Sequence, residues 1–320
     1  MPSDPTAAVR RELLVRQLET WMPAALHRSR RATLALAYAH DDAGSADAAL
    51  GVVAEYADRL RGRRLTVLVL AGGAADLPAR LGPVEAVLPA DVAVHLVPGD
   101  PGRLPVAVKA AGAAGAPLFS YVDLSAPGPT PPAGESGGGA GGHSGGPDPA
   151  VLRAAAGGRP AELLLCAGGD ARAGLGAAGF PLVTEVDLVP GGDGPASRIA
   201  FGTGFDRSLE AFKDALWAVD EFAGVRYRDP ADPAGRLLDI ALDPEPGPLR
   251  RELLAELTRS GPRTVTELRR YALTSTVYRS SDAVRALTGL LAAGSVTRDP
   301  AAGRLGGDVV ITAAAAAPPA

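Results

Sequence analysis

Five apolar runs recur along the first 167 residues of this 320-residue chain, at Thr33 to Tyr38, Leu65 to Ala71, Val92 to Val97, Leu118 to Asp123 and Glu162 to Ala167. Helical patterns at 46 to 61, about 76 to 87 and 103 to 114 lie between them. Strands that alternate with helices build a parallel sheet covered on both faces, and near-continuous apolarity is what strands buried on both faces require. The connections fit right-handed crossovers. The expected fold is therefore α/β, a doubly wound Rossmann-like sheet, over residues 1–245.

Residues 7 to 22 read as an amphipathic helix with Val9, Leu13, Leu14, Leu18, Trp21 and Met22 on one side, limited by Pro23. From Ser125 to Pro149 the composition collapses to Gly, Pro, Ser and Ala, which cannot bury enough apolar surface to offset ordering entropy, so 125–149 reads as a disordered insertion. Between Phe201 and Gly224, Leu209, Phe212, Leu216, Val219 and Phe222 share a helical face around Lys213 and Trp217. Leu237 to Leu242 reads as a late strand, and Asp243 to Pro248 as a linker.

A second unit follows. Leu249, Leu253, Leu254 and Leu257 recur at helical spacing until Gly261-Pro262, and Thr264 can cap a helix carrying Val265, Leu268 and Leu273. Ser280 or Ser281 can cap a third with Val284, Leu287, Leu290 and Leu291, which Gly294 ends. Two β-prone runs around a Pro/Gly turn, Ser295 to Ile311, complete a winged-helix pattern over 246–320, with a short disordered tail.

No apolar run approaches the roughly 20 residues of a membrane span, and no apolar core follows Arg10-Arg11, so a cytoplasmic protein without membrane association is expected. Cys166 is the only cysteine, which excludes an intramolecular disulfide and a cysteine-rich zinc site. Lys109 and Lys213 are the only lysines against thirty arginines. Ten arginines against six carboxylates leave Pro246 to Thr312 at +4 in a chain of net charge −4, so the remainder carries −8. The two units prefer different electrostatic partners.

Two pattern matches fail on context. Gly142-His-Ser-Gly-Gly146 fits the nucleophile-elbow pattern, but it lies in low-complexity sequence and not on a strained strand-to-helix turn. Gly174-Leu-Gly-Ala-Ala-Gly179 fits the dinucleotide fingerprint, yet Asp170 to Ala173 separate it from the strand and Phe180-Pro181 follow, so a flexible loop is expected there. Ligands in open α/β sheets bind at the carboxyl ends of strands, which directs attention to His40, Asp41, Asp42 and Gly44, to Gly72, Gly73 and Asp76, to Asp100, and to Asp123 and Ser125. Each acidic residue here also suits a helix cap or a solvated turn. The histidines His27, His95 and His143 show no metal-ligand spacing, and no metal site is expected.

The run Ala116-Pro-Leu-Phe-Ser-Tyr-Val-Asp-Leu124, the later Ala161-Glu-Leu-Leu-Leu165, the helix Phe212-Lys-Asp-Ala-Leu-Trp-Ala-Val-Asp220 and the winged-helix pattern together resemble the three-Cys-motif partner proteins over most of the chain. That resemblance implies a methyltransferase-type Rossmann domain with a C-terminal winged helix. It also implies that S-adenosylmethionine, if bound, would meet Asp41, Asp42, Gly44 and Asp123. The chain departs from the family where chemistry would sit. Tyr38-Ala-His-Asp-Asp-Ala-Gly-Ser45 replaces the family's glycine-rich loop, and Asp123-Leu-Ser-Ala126 replaces its aspartate-proline-phenylalanine-glycine segment. The expectation is a noncatalytic or weakly ligand-binding interaction or regulatory protein, with no cofactor and a protein partner. The alternatives are an active S-adenosylmethionine-dependent methyltransferase on nucleic acid or protein, and a winged-helix DNA-binding regulator. In the second unit, Arg279, Arg285, Arg298 and Arg304 are the candidates for nucleic-acid contact, of a weak and nonspecific kind. Between Ser281 and Ala293 only Arg285 is basic, too few charges for a recognition helix. Substrate, natural partner and oligomeric state are left open.

Overall fold

The computed structural model describes residues 5–39, 43–72, 77–125, 147–192, 194–219 and 224–314. In chain order the larger unit comprises α1 (Pro5–Arg28), β1 (Arg31–Tyr38), α2 (Ala43–Glu55), β2 (Arg64–Ala71), α3 (Leu77–Glu85), β3 (Val92–Pro98), α4 (Leu104–Ala110) and β4 (Leu118–Asp123). It continues with α5 (Pro149–Ala155), β5 (Ala161–Ala167), α6 (Arg172–Ala178), β6 (Leu182–Pro190), β7 (Ser197–Thr203), α7 (Asp206–Trp217), β8 (Val225–Arg228) and β9 (Leu237–Leu238). All nine strands join one sheet in the order β3-β2-β1-β4-β5-β7-β6-β8-β9. The pairs from β3 to β5 are parallel, whereas β7 runs antiparallel to both β5 and β6, and β8 antiparallel to β6 and β9. The result is a mostly parallel, Rossmann-like sheet flanked by helices.

Strand periodicity explains the layers. Leu34, Leu36 and Tyr38 of β1 point to one face with Phe119 and Tyr121 of β4, where α1, α2 and α7 cover them. Ala35 and Ala37 point to the other with Leu118 and Val122, under α4, α5 and α6. The edge strand β3 departs from the expected double burial, because it has a neighbour on one side only and its residues are half-buried or exposed.

Several elements differ from the sequence reading for identifiable reasons. Helix α1 passes through Pro23 and does not stop there. A proline deprives the carbonyl four residues back of its donor; that carbonyl, on Glu19, accepts the Tyr56 hydroxyl at 3.2 Å instead. The fingerprint-like segment around Gly174 is helical, not a flexible loop, and Gly179 closes α6 at φ 113°, a conformation suited to glycine. Phe201 lies in β7, and the core helix begins only at Asp206. Pro147 to Pro149 and Ser125 are ordered parts of the fold, while the rest of the expected 125–149 insertion and the tail from 315 lie outside the described residues, as do Ser144 and Phe222.

The C-terminal unit comprises α8 (Gly247–Ser260), β10 (Arg263–Thr264), α9 (Val265–Ser275), α10 (Ser280–Ala292), β11 (Val296–Asp299) and β12 (Val310–Ala313). Its three strands pair antiparallel in the order β10-β12-β11. Thr264 caps α9 as expected, and the structure adds Glu267, whose side chain completes a reciprocal box. The start of α10 is different: Arg279 holds the cap position and Asp282 accepts its backbone N–H at 3.1 Å, so neither Ser280 nor Ser281 is the cap. The apolar side chains of this unit, among them Leu253, Leu268 and Leu287, are continuous with those on the α1/α7 face of the sheet. Among the described residues no helix is long and apolar enough to cross a membrane.

Candidate functional site

The carboxyl ends of β1 and β4 lie side by side, with Tyr38 paired to Asp123. Asp123 is buried, and its carboxylate is enclosed by groups from three directions. Arg10 of α1 reaches across with Nη1 3.3 Å from Asp123 Oδ2 and also donates to Ser125 Oγ. Ser125 returns both its backbone N–H, at 2.9 Å, and its hydroxyl to Asp123 Oδ1. The Tyr121 hydroxyl donates to Oδ2 at 3.4 Å. Both carboxylate oxygens are thus engaged within the fold, and a buried ion pair lies at the carboxyl ends of β1 and β4, the edge of an open α/β sheet at which ligands bind.

Beneath this pair, Cys166 Sγ lies 3.8 Å from the Tyr121 hydroxyl. Burial pushes the Tyr121 phenol well above its ordinary range, helped by Cys166, Asp123 and Tyr38 and opposed by Arg10. The neighbouring Arg11 serves the same edge. A Cβ built on Gly44, in the first turn of α2, would stand 2.7 Å from Arg11 Nη2, so the guanidinium rests on that glycine. Adjacent arginines of α1 therefore cover the start of α2 and the end of β4.

Of the residues singled out on the sequence, Gly44 and Asp123 are both brought to this edge by α2 and β4. Asp41 and Asp42 lie outside the described residues, together with His40, Gly73 and Asp76. Asp100 caps a short 3-10 turn by accepting the Gly102 N–H at 2.9 Å. Among the described residues no group of His, Cys, Asp or Glu is arranged to hold a metal ion. An open depression of about 380 Å³ lies at the opposite end of the sheet, lined by Gly158, Arg159, Pro160, Gly179, Phe180 and Phe205.

In the C-terminal unit the four candidate arginines do not form one surface. Arg279 and Arg285 converge on the buried Asp282, with Arg279 Nε at 3.0 Å and Arg285 Nη2 at 3.4 Å. Arg279 also donates to the Leu242 carbonyl at 2.7 Å, and Arg285 pairs with Asp243 at 3.1 Å. Arg298 closes the β11–β12 turn, donating to Pro300 and Gly303 carbonyls, each at 2.9 Å. Arg304 is exposed in that turn.

A dense set of hydrogen bonds lies where α7 meets the α9–α10 turn, and the sequence reading did not single it out as a site. Lys213 is fully buried, and its Nζ donates to the carbonyls of Ala272 at 3.1 Å, Thr276 at 2.6 Å, Tyr278 at 2.8 Å and also Leu273. Burial pushes it down to about 7, against the opposing influence of Glu210 and Asp229. Trp217 Nε1 donates to the Val277 carbonyl at 3.2 Å, and its ring stacks on Tyr278 with centroids 5.5 Å apart. Glu210 accepts the Ser280 hydroxyl at 2.9 Å and its backbone N–H at 3.2 Å, which occupies the start of α10. One signal was available: a lysine in the middle of an apolar helical face, in a chain with only one other lysine, Lys109, against thirty arginines.

No protein-family model matches the sequence, and no curated protein matches it.

Proposed function

We propose that this chain is a noncatalytic, methyltransferase-like interaction or regulatory protein of the three-Cys-motif partner type, in which a C-terminal winged helix is a fixed protein-contact module. The observation that carries this reading is the buried Arg10–Asp123–Ser125 network across the ends of β1 and β4. A cofactor entering at that edge would have to separate an ion pair whose members both lie out of water, a step opposed by the desolvation of the charge left behind. The strand order β3-β2-β1-β4-β5-β7-β6, with only β7 reversed among these seven, supports the methyltransferase-type reading. The succession helix, strand, two helices, two strands from Gly247 to Ala313 supports the winged helix.

A protein partner is favoured over DNA because the helix that would enter a groove begins under α7, and its arginine is bound to Asp243 and Asp282. A cytoplasmic location belongs to the same reading. The test is a pair of titrations. In a thermal-shift series, S-adenosylmethionine or S-adenosylhomocysteine at 1 mM leaves the midpoint unchanged, whereas a dissociation constant of about 10 μM would add about 2.7 kcal/mol of stability and restore the enzyme reading. In fluorescence anisotropy at physiological salt, duplex DNA binds weakly and without sequence preference; nanomolar, sequence-selective binding lost on Arg285→Ala would establish the DNA-binding regulator instead.

A further inference from the structure

The large sheet ends differently on its two sides. At one edge β9 is only two residues long, which offers a further strand little to pair with. At the other, β3 runs for seven residues, Val-Ala-Val-His-Leu-Val-Pro, without a lysine, arginine or carboxylate to guard it. Its ladder to β2 reaches one residue further at each end: Leu65 N–H donates to the Asp91 carbonyl at 3.0 Å and Gly99 N–H to the Ala71 carbonyl at 3.2 Å. Those bonds turn the odd-numbered backbone groups of β3 toward β2, so those of Val92, Val94, Leu96 and Pro98 point away from the sheet. Val92 N–H donates to the Pro89 carbonyl at 2.9 Å, and a proline has no N–H, so the outward donors are those of Val94 and Leu96. Among the described residues no strand pairs with β3 on this side.

We propose that β3 is the contact between two copies of this chain, which pair these strands antiparallel about a two-fold axis at His95. In that register Val94 lies opposite Leu96 of the second copy and exchanges both N–H···O bonds with it, and Leu96 does the same with the second Val94. Registers centred on Val94 or Leu96 make as many bonds over a shorter overlap, so the charges at the ends decide. The register centred on His95 sets Gly99 against Asp91 of the second copy. Arg103 lies over Gly99: a Cβ built there would stand 2.5 Å from Arg103 Cδ and 2.6 Å from Nε, so this side chain fills the space of a residue at 99. Directly opposed residues have Cβ atoms about 4.5–5.5 Å apart, which brings Arg103 of each copy to Asp91 of the other. Asp91 Oδ2 accepts the Gly62 N–H at 3.2 Å, while Oδ1 and the Arg103 guanidinium have no partner among the described residues. Between these end pairs Val92 faces Pro98 and Ala93 faces Val97, apolar against apolar. The edge is complementary to itself in length, polarity and charge, which selects a second copy over an unrelated strand.

Sedimentation velocity on the full chain, over a range of concentrations, reads the dimer dissociation constant. The native chain dimerises. Asp91→Arg sets two arginines against each other at each end of the paired strands, and Arg103→Asp sets two carboxylates, so each variant alone raises the dissociation constant about tenfold. An equal mixture of the two variants returns to the native value, because the mixed dimer has an opposite-charge pair at each end. Should Asp91→Arg fail to fold, His95→Glu replaces it: that side chain is exposed, and the change opposes two carboxylates at the axis, with the same loss expected. A native chain that stays monomeric at about 100 μM, variants that dimerise as the native chain does, or a mixture no tighter than its components would overturn the proposal.

Discussion

Arg10 and Asp123 are separated by 113 positions, and only the fold brings them together. Asp123 was legible as the residue ending an apolar strand, but its partner was not, since an arginine on an amphipathic helix ordinarily faces water. Removing one member of a buried pair leaves the other charge uncompensated, so Arg10→Ala should lower unfolding free energy by about 3 kcal/mol in urea titration. A change below about 0.5 kcal/mol would mean that the pair does not hold this edge. Glu162 offers a second residue-scale test. It accepts from Gln17 at 3.1 Å and Ser208 at 2.7 Å, burial nevertheless pushes it upward, and among the described residues Gln17 Oε1 has no hydrogen-bond partner. An acid whose folded value is raised contributes stability below its unfolded value and loses it as pH rises. Glu162→Gln removes that loss and supplies an N–H toward Gln17, so the variant should have the higher urea midpoint at pH 7. Its advantage should fade as pH falls below the carboxylate range.

Among the elements, β1 to β5 were legible because parallel strands covered on both faces are written as unbroken apolar runs. The β6–β7 hairpin was not, because β6 carries Glu185 and Asp187, which break the apolar signal yet are buried. Asp187 is neutralised by Arg198 of β7 at 2.7 Å and Arg228 of β8 at 2.9 Å, while Glu185 accepts the Ala171 N–H at 2.9 Å. Such partners are invisible until neighbouring strands are known. Pro23 misled for the same reason, since the donor that relieves its missing hydrogen bond comes from Tyr56. The Thr264 cap of α9 is local and was readable; Thr264→Ala should lower stability by about 1 kcal/mol, with an unchanged midpoint as the contrary result.

At the scale of the whole molecule, two units of opposite net charge share a continuous apolar core. The C-terminal helices were readable from leucine spacing, whereas their seat on α7 depends on Lys213, whose four partners lie 59 to 65 positions away. In the larger unit Arg10, from the first helix, and Asp123, at the end of β4, form a buried pair beside the carboxyl ends of β1 and β4. Isothermal titration calorimetry with S-adenosylmethionine, run on the native protein and on Asp123→Ala, tests the effect of that pair most directly. Native protein with the pair intact should give no binding heat at ligand concentrations up to about 1 mM, a level that detects any affinity tighter than about −4.1 kcal/mol. Micromolar binding to the native protein that disappears in Asp123→Ala would show the aspartate holding a cofactor in place of Arg10, and the noncatalytic reading would fall.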